Sequence, residues 1–180
     1  MKNYCNYLFV LICAVVCVNF SSCEGEEQPS TTQEEQNYVN LGLSSGTLWK
    51  SVNEPNSLEE NGFFNFYAAE SKFEKQLPSK EQWMELVNEC NWSWTGLGCK
   101  VIGPNGNYIS IPASGWRDPY NDDALEEVGE HGYYWSSTTS GNDNAFNFSI
   151  DNYSDKLNVK IGAAPAVMKC SVRLVKSPAK

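Results

Sequence analysis

The sequence contains a single histidine, His131, and no CxxC pair or Cys/His spacing of the kind that holds zinc. Its 13 Lys and Arg are scattered and outweighed by 22 Asp and Glu, for a formal net charge of −9. Neutralising phosphates requires clustered cations, so this balance argues against a nucleic-acid partner. No EF-hand spacing is found among the carboxylates. The longest apolar run, Leu8 to Val18, is too short to cross ~30 Å of hydrocarbon as a helix. What is present is the material of one folded domain. The 180 residues are 41% hydrophobic and 13% aromatic, which is enough to bury a core and too apolar for disorder.

Residues 1–22 read as a signal peptide: Lys2 supplies a positive start and Leu8 to Val18 the apolar centre. Phe20-Ser21-Ser22-Cys23 follows. Small residues just before a cysteine resemble the lipobox of bacterial lipoproteins, with Phe20 departing from the usual Leu. The resemblance implies cleavage before Cys23, lipidation of its sulfur and acylation of its new amine. Several acyl chains, at ~0.8 kcal/mol per buried methylene, give durable membrane anchoring. Residues 23–37 contain five carboxylates, and between Glu24 and Gln36 there is no large apolar side chain, so this stretch is read as a disordered acidic tether. Acidic residues directly after a lipidated cysteine resemble the surface-export signal of Gram-negative lipoproteins. The expected location is the outer membrane, lipid-anchored and exposed at the cell surface.

The domain is expected over residues 38–176, with a short tail at 177–180. Removing the signal and lipidating Cys23 leaves Cys90, Cys99 and Cys170. Three thiols in an oxidising compartment allow one disulfide and one leftover, and Cys170 is placed to reach either of the others. Strands are expected over residues 38–43 and 47–49, and over 99–102 and 108–111 around the turn Gly103-Pro104-Asn105-Gly106-Asn107. Further strands are expected over 133–137, 145–150 and 170–175. The clearest helix begins after Ser79, an N-cap candidate that forms a capping box with Gln82. Trp83, Leu86, Val87 and Cys90 give it one apolar face. Residues 118–132 read as a long loop. One helix among many short strands predicts an α+β fold.

Six motifs in order carry a resemblance. They are residues 38–49 (YVNLGLSSGTLW), 77–83 (LPSKEQW), 103–107 (GPNGN), 111–115 (IPASG), 132–137 (GYYWSS) and 171–175 (SVRLV). Together they resemble the Fibrobacter succinogenes major paralogous domain, a family related to the formylglycine-generating type of C-type lectin fold. The resemblance implies a C-type-lectin-like α+β domain with short antiparallel strands and long loops. Where members of the family often carry a cysteine, this chain has Val52, in Trp49-Lys50-Ser51-Val52-Asn53. Against that pattern a compensating Cys99–Cys170 bridge stays open. The copper-oxidase relatives need a cysteine pair near the C-terminus, and Cys170 stands alone there, so oxidase activity is not implied.

Candidate sites follow from residue chemistry. Glu54-Pro55-Asn56 spells the calcium- and sugar-binding tripeptide of mannose-type lectins, but it lies before the helix and lacks a Trp-Asn-Asp partner, so coincidence is the reading adopted. Asp118, Asp122, Asp123, Glu126 and Glu127 offer oxygen ligands for calcium, but without EF-hand spacing a solvated loop is the reading adopted. No other cofactor and no metal site is expected. His131 is assigned to a loop, with no nucleophile to serve. Trp49, Trp83, Trp116 and Trp135 are assigned to the core, and Tyr120 and Tyr153 to exposed loops. The Asn- and Ser-rich stretch between Trp135 and Ser171 resembles the variable region of diversity-generating retroelement targets. Asn142, Asn144, Asn147, Tyr153 and Asn158 are its candidate ligand surface. The expected function is a non-catalytic surface protein that binds an extracellular glycan or protein. The rivals are a secreted glycan-active enzyme using paired carboxylates and a structural envelope subunit.

Overall fold

The computed structural model describes residues 37–55 and 62–178. The signal peptide, the lipidated Cys23, nearly all of the tether and Asn56 lie outside these residues. The fold is α+β, with two short helices among mixed sheets. No helix in the described residues is long and apolar enough to cross a membrane.

Helix α2 spans Lys80–Glu89 and starts as its sequence dictates. The Ser79 hydroxyl accepts from the Gln82 amide at 3.3 Å, while the Gln82 side chain accepts from the Ser79 amide at 2.9 Å. Two otherwise orphaned donors are thereby satisfied. Trp83 and Leu86 are fully buried and Val87 partly so, and Cys90 caps the end. The buried face packs on a five-stranded sheet made of β3 (Phe63–Phe64), β9 (His131–Thr139), β10 (Asn144–Tyr153), β11 (Lys156–Pro165) and β12 (Cys170–Ser171). Its strand order is β11-β10-β9-β12-β3. The β10–β11 pair runs in register from Asn144↔Pro165 to Tyr153↔Lys156. Ser154 and Asp155 turn it with φ of 52° and 59°, the left-handed pair that a two-residue hairpin demands.

Strand β11 is absent from the sequence expectation, although Leu157, Val159 and Ile161 alternate with Asn158 and Lys160 as a half-buried strand should. The aromatic patch after Gly62 divides into β3 and a second helix, α1 (Phe66–Phe73), which Asn65 caps by accepting from the Ala68 amide at 2.8 Å. The expected loop over 118–132 also holds structure, because β7 (Trp116–Asp118) pairs with β8 (Ala124–Glu126). The single strand expected over 170–175 is two pieces. β12 joins the large sheet, and β13 (Val175–Lys176) pairs with β2 (Leu48–Lys50), beside β1 (Tyr38–Asn40), in a second sheet. Arg173 lies between them, fully buried, donating to the carbonyls of Lys50 at 2.8 Å and Ser110 at 2.7 Å.

A third sheet is the meander β4 (Asn91–Trp94), β5 (Gly98–Ile102) and β6 (Tyr108–Pro112). The β5–β6 turn docks on β1: the side-chain amides of Asn105 and Asn107 both donate to the Asn40 carbonyl, at 2.9 and 2.8 Å. Gly103 is required there because a Cβ at that position would meet the Leu41 carbonyl oxygen at 2.1 Å.

The core is in two parts. One packs Trp83, Leu86, Cys90 and Cys99 with Tyr134, Phe148 and Ile150. The other gathers Phe64, Phe66, Trp135 and Cys170. The expectation of one disulfide fails: Cys90, Cys99 and Cys170 are all free and buried. Cys170 belongs to a different cluster from the other two, so the sheet that divides the core keeps them apart. Trp49, Trp83 and Trp135 are core as expected, whereas Trp116 is only half-buried.

Candidate binding cleft

Residues from three segments meet at one end of β9 and β10. Trp94 ends β4, Gly129 and Glu130 precede β9, His131 begins it, and Asn152, Tyr153 and Ser154 close β10 and its turn. They line an open cleft of about 360 Å³. Local chemistry sets each wall. Glu127 turns the chain with a positive φ of 59°, and its carbonyl accepts from the amides of Glu130 and His131. The Gly129 amide donates to Ala113 at 2.8 Å, which fixes the loop to the body. Tyr153 is 77% exposed because the tight turn that follows projects it from the sheet. Leu97, also 77% exposed, and Val128, 57% exposed, lie on the neighbouring loops.

His131, read from the sequence as a loop residue, opens a strand and lines the cleft. Its ring lies 14° from parallel with that of Tyr133, with centroids 5.9 Å apart. Its Nδ1 stands 3.6 Å from a Glu127 carboxylate oxygen and makes no hydrogen bond. The same oxygen accepts from the Tyr133 hydroxyl at 2.9 Å. Burial, with the adjacent Glu127 carboxylate, raises the Tyr133 phenol well above its ordinary range.

Asp151 faces His131 across the β9–β10 ladder. Its carboxylate accepts from the Asn158 side chain at 2.6 Å and meets Lys160 at 3.7 Å. Burial disfavours its charge, but the Asn158 hydrogen bond and the Lys160 ammonium outweigh burial and hold the carboxyl below the usual range. Of the acidic residues of 118–127, Asp118, Asp123 and Glu127 are each engaged separately. Asp123 pairs with Lys169 at 2.7 Å, Asp118 accepts from the Tyr120 amide, and Glu127 holds Tyr133. No three His, Cys, Asp or Glu among the described residues converge as a metal-binding group. Glu54 pairs with Lys50 rather than standing open.

The five residues proposed as one ligand surface are not brought together. Asn142 lies in the turn before β10 and Asn144 opens the strand, and Tyr153 is nine residues beyond Asn144, roughly 30 Å at strand rise. Asn147 is buried opposite Gly162. Asn158 is committed to Asp151. Of the five, Tyr153 alone lines the cleft. His131 is read from the sequence only as a loop residue, and Trp94 is not singled out there at all. The alternation Trp92-Ser93-Trp94 next to Cys99–Ile102 was the available signal for β4, and with it for the wall. Comparison of the chain with protein-family models, curated proteins and solved structures finds no match.

Proposed function

We propose that this chain is a lipid-anchored, surface-exposed binding protein of an outer membrane, held by Cys23, with a domain of the Fibrobacter succinogenes major paralogous type and a C-type-lectin-like fold. It recognises an extracellular ligand without catalysis. The observation that carries this reading is the cleft walled by Trp94, His131 and Tyr153. Flat rings beside the Asn152 amide and the Ser154 hydroxyl suit the face and hydroxyls of a sugar. The neighbouring carboxylates of Glu127 and Asp151 are each held by a hydrogen-bond donor, which supports recognition over paired-carboxylate hydrolysis. Exposed Leu97 and Val128 beside the cleft favour a protein ligand as the second reading.

A glycan array and a pull-down with the full chain test both readings. Tyr153→Ala abolishes capture on the proposed reading while melting stays at the wild-type temperature, because the side chain is exposed. Undiminished capture by that variant rejects the cleft. Cys23→Ala releases the protein from the membrane fraction, and unchanged membrane association of that variant rejects the anchor.

A further inference from the structure

The five-stranded sheet ends on β11, whose outer edge pairs with no strand among the described residues. Along the ten residues of β11 every second one turns its N–H and C=O to that outer edge, a template for another strand. Beside that edge Met84, Val87 and Asn88 of α2 and Val159 and Ile161 of β11 wall a groove of about 350 Å³. Leu157, Val159 and Ile161 pack with the core on the α2 side. Lys156, Asn158 and Lys160 alternate onto the other face, where Asn158 and Lys160 reach Asp151. An added strand would inherit this alternation, sending every second side chain into the groove and the others beside the lysines.

Charge selects the occupant. β11 carries Lys156 and Lys160 and no carboxylate, on a chain of net charge −9. Lys160 is 65% exposed at its side chain, and Lys80 stands at the groove with its ammonium 4.1 Å from the Phe146 ring centre. Pairing of two β11 edges would set lysine against lysine between two strongly acidic chains, which is unfavourable. A strand with acidic side chains meets the lysines with the opposite sign.

We propose that the free edge of β11 and the groove beside α2 capture an extended peptide of alternating apolar and acidic residues by β-strand addition. The apolar side chains fill the groove between Met84, Val87, Val159 and Ile161. The acidic ones lie along Lys156 and Lys160. The site shares no residue with the cleft at the end of β9 and β10, so it stands or falls separately.

The test is calorimetric titration of the full chain in detergent with a synthetic peptide alternating valine and glutamate. Binding is expected, with slowed amide exchange in β11. Methylating alternate backbone nitrogens on the peptide's pairing edge should weaken binding about tenfold or more, since several hydrogen bonds are lost together. The double variant Lys156→Glu, Lys160→Glu should weaken it in the same sense, and a valine–lysine peptide should fail to bind the unaltered protein. No binding of the valine–glutamate peptide overturns the proposal. So does binding indifferent to backbone methylation, or a dimer in sedimentation whose β11 amides are already protected.

Discussion

Trp83 of α2 and Phe148 of β10 stack face to face, with ring centroids 4.2 Å apart and planes 1° from parallel. Both rings are fully buried, and the Trp83 indole donates to the Trp135 carbonyl at 3.3 Å. This contact joins the helix to the central sheet. Phe148→Ala is expected to cost about 3–5 kcal/mol and Leu86→Ala about 2–5 kcal/mol, read from chemical denaturation. A wild-type midpoint in either variant would contradict this packing.

Gly103→Ala should destabilise the domain by about 1–3 kcal/mol, because the new methyl meets the Leu41 backbone, which has no rotamer by which to yield. Gly106→Ala in the same turn has no such neighbour within 4 Å and carries only the penalty of its φ of 86°. Comparing their melting temperatures separates close approach from backbone conformation. A loss at position 103 no larger than at 106 would show that the turn docks differently.

The three thiols should resist alkylation in the native protein at mildly alkaline pH. Burial pushes Cys90 up to about 11 and Cys99 up to about 12, and it raises Cys170 further. Thiolate is therefore scarce as well as shielded. Mass spectrometry after iodoacetamide should show no adduct on these residues when folded and three when unfolded under non-reducing conditions. Fewer than three after unfolding would reveal a disulfide.

Asp151 has a native carboxyl pKa below its unfolded value. Its charged form is thus favoured by folding, and the stability it contributes is present above the unfolded carboxyl range and lost as pH falls through the native value. Asp151→Asn should flatten the acid limb of a stability–pH profile and leave the alkaline limb alone. An unchanged acid limb would show that Asn158 and Lys160 do not favour the carboxylate.

The α+β class, helix α2 and the β1–β2 and β5–β6 hairpins were legible because their signals are local. A serine three residues before a glutamine, an apolar face at helical spacing and a Gly-Pro-Asn-Gly turn each act within a few residues. The cleft was not legible, because its walls are 59 residues apart between Trp94 and Tyr153 and meet only through sheet pairing. Asn147 misled for a related reason. An amide in a polar stretch reads as exposed, yet a position beside Phe148 in a central strand is covered by the second core. The thiols followed the same pattern: their pairing was inferred from their number, but Cys170 is set apart from Cys90 and Cys99 by the sheet that divides the core.

The first and last strands of the domain flank a common neighbour. β1 and β13 lie on either side of β2, with Tyr38 opposite Lys50 and Lys176 opposite Leu48. Two strand spacings and two residues of rise separate those ends by about 12 Å. A few added residues would bridge that gap at small closure cost. The domain is therefore topologically almost a ring. It can be grafted into a loop of another protein, or reopened at the exposed Gly141 turn and rejoined at its old ends, with every strand pairing preserved.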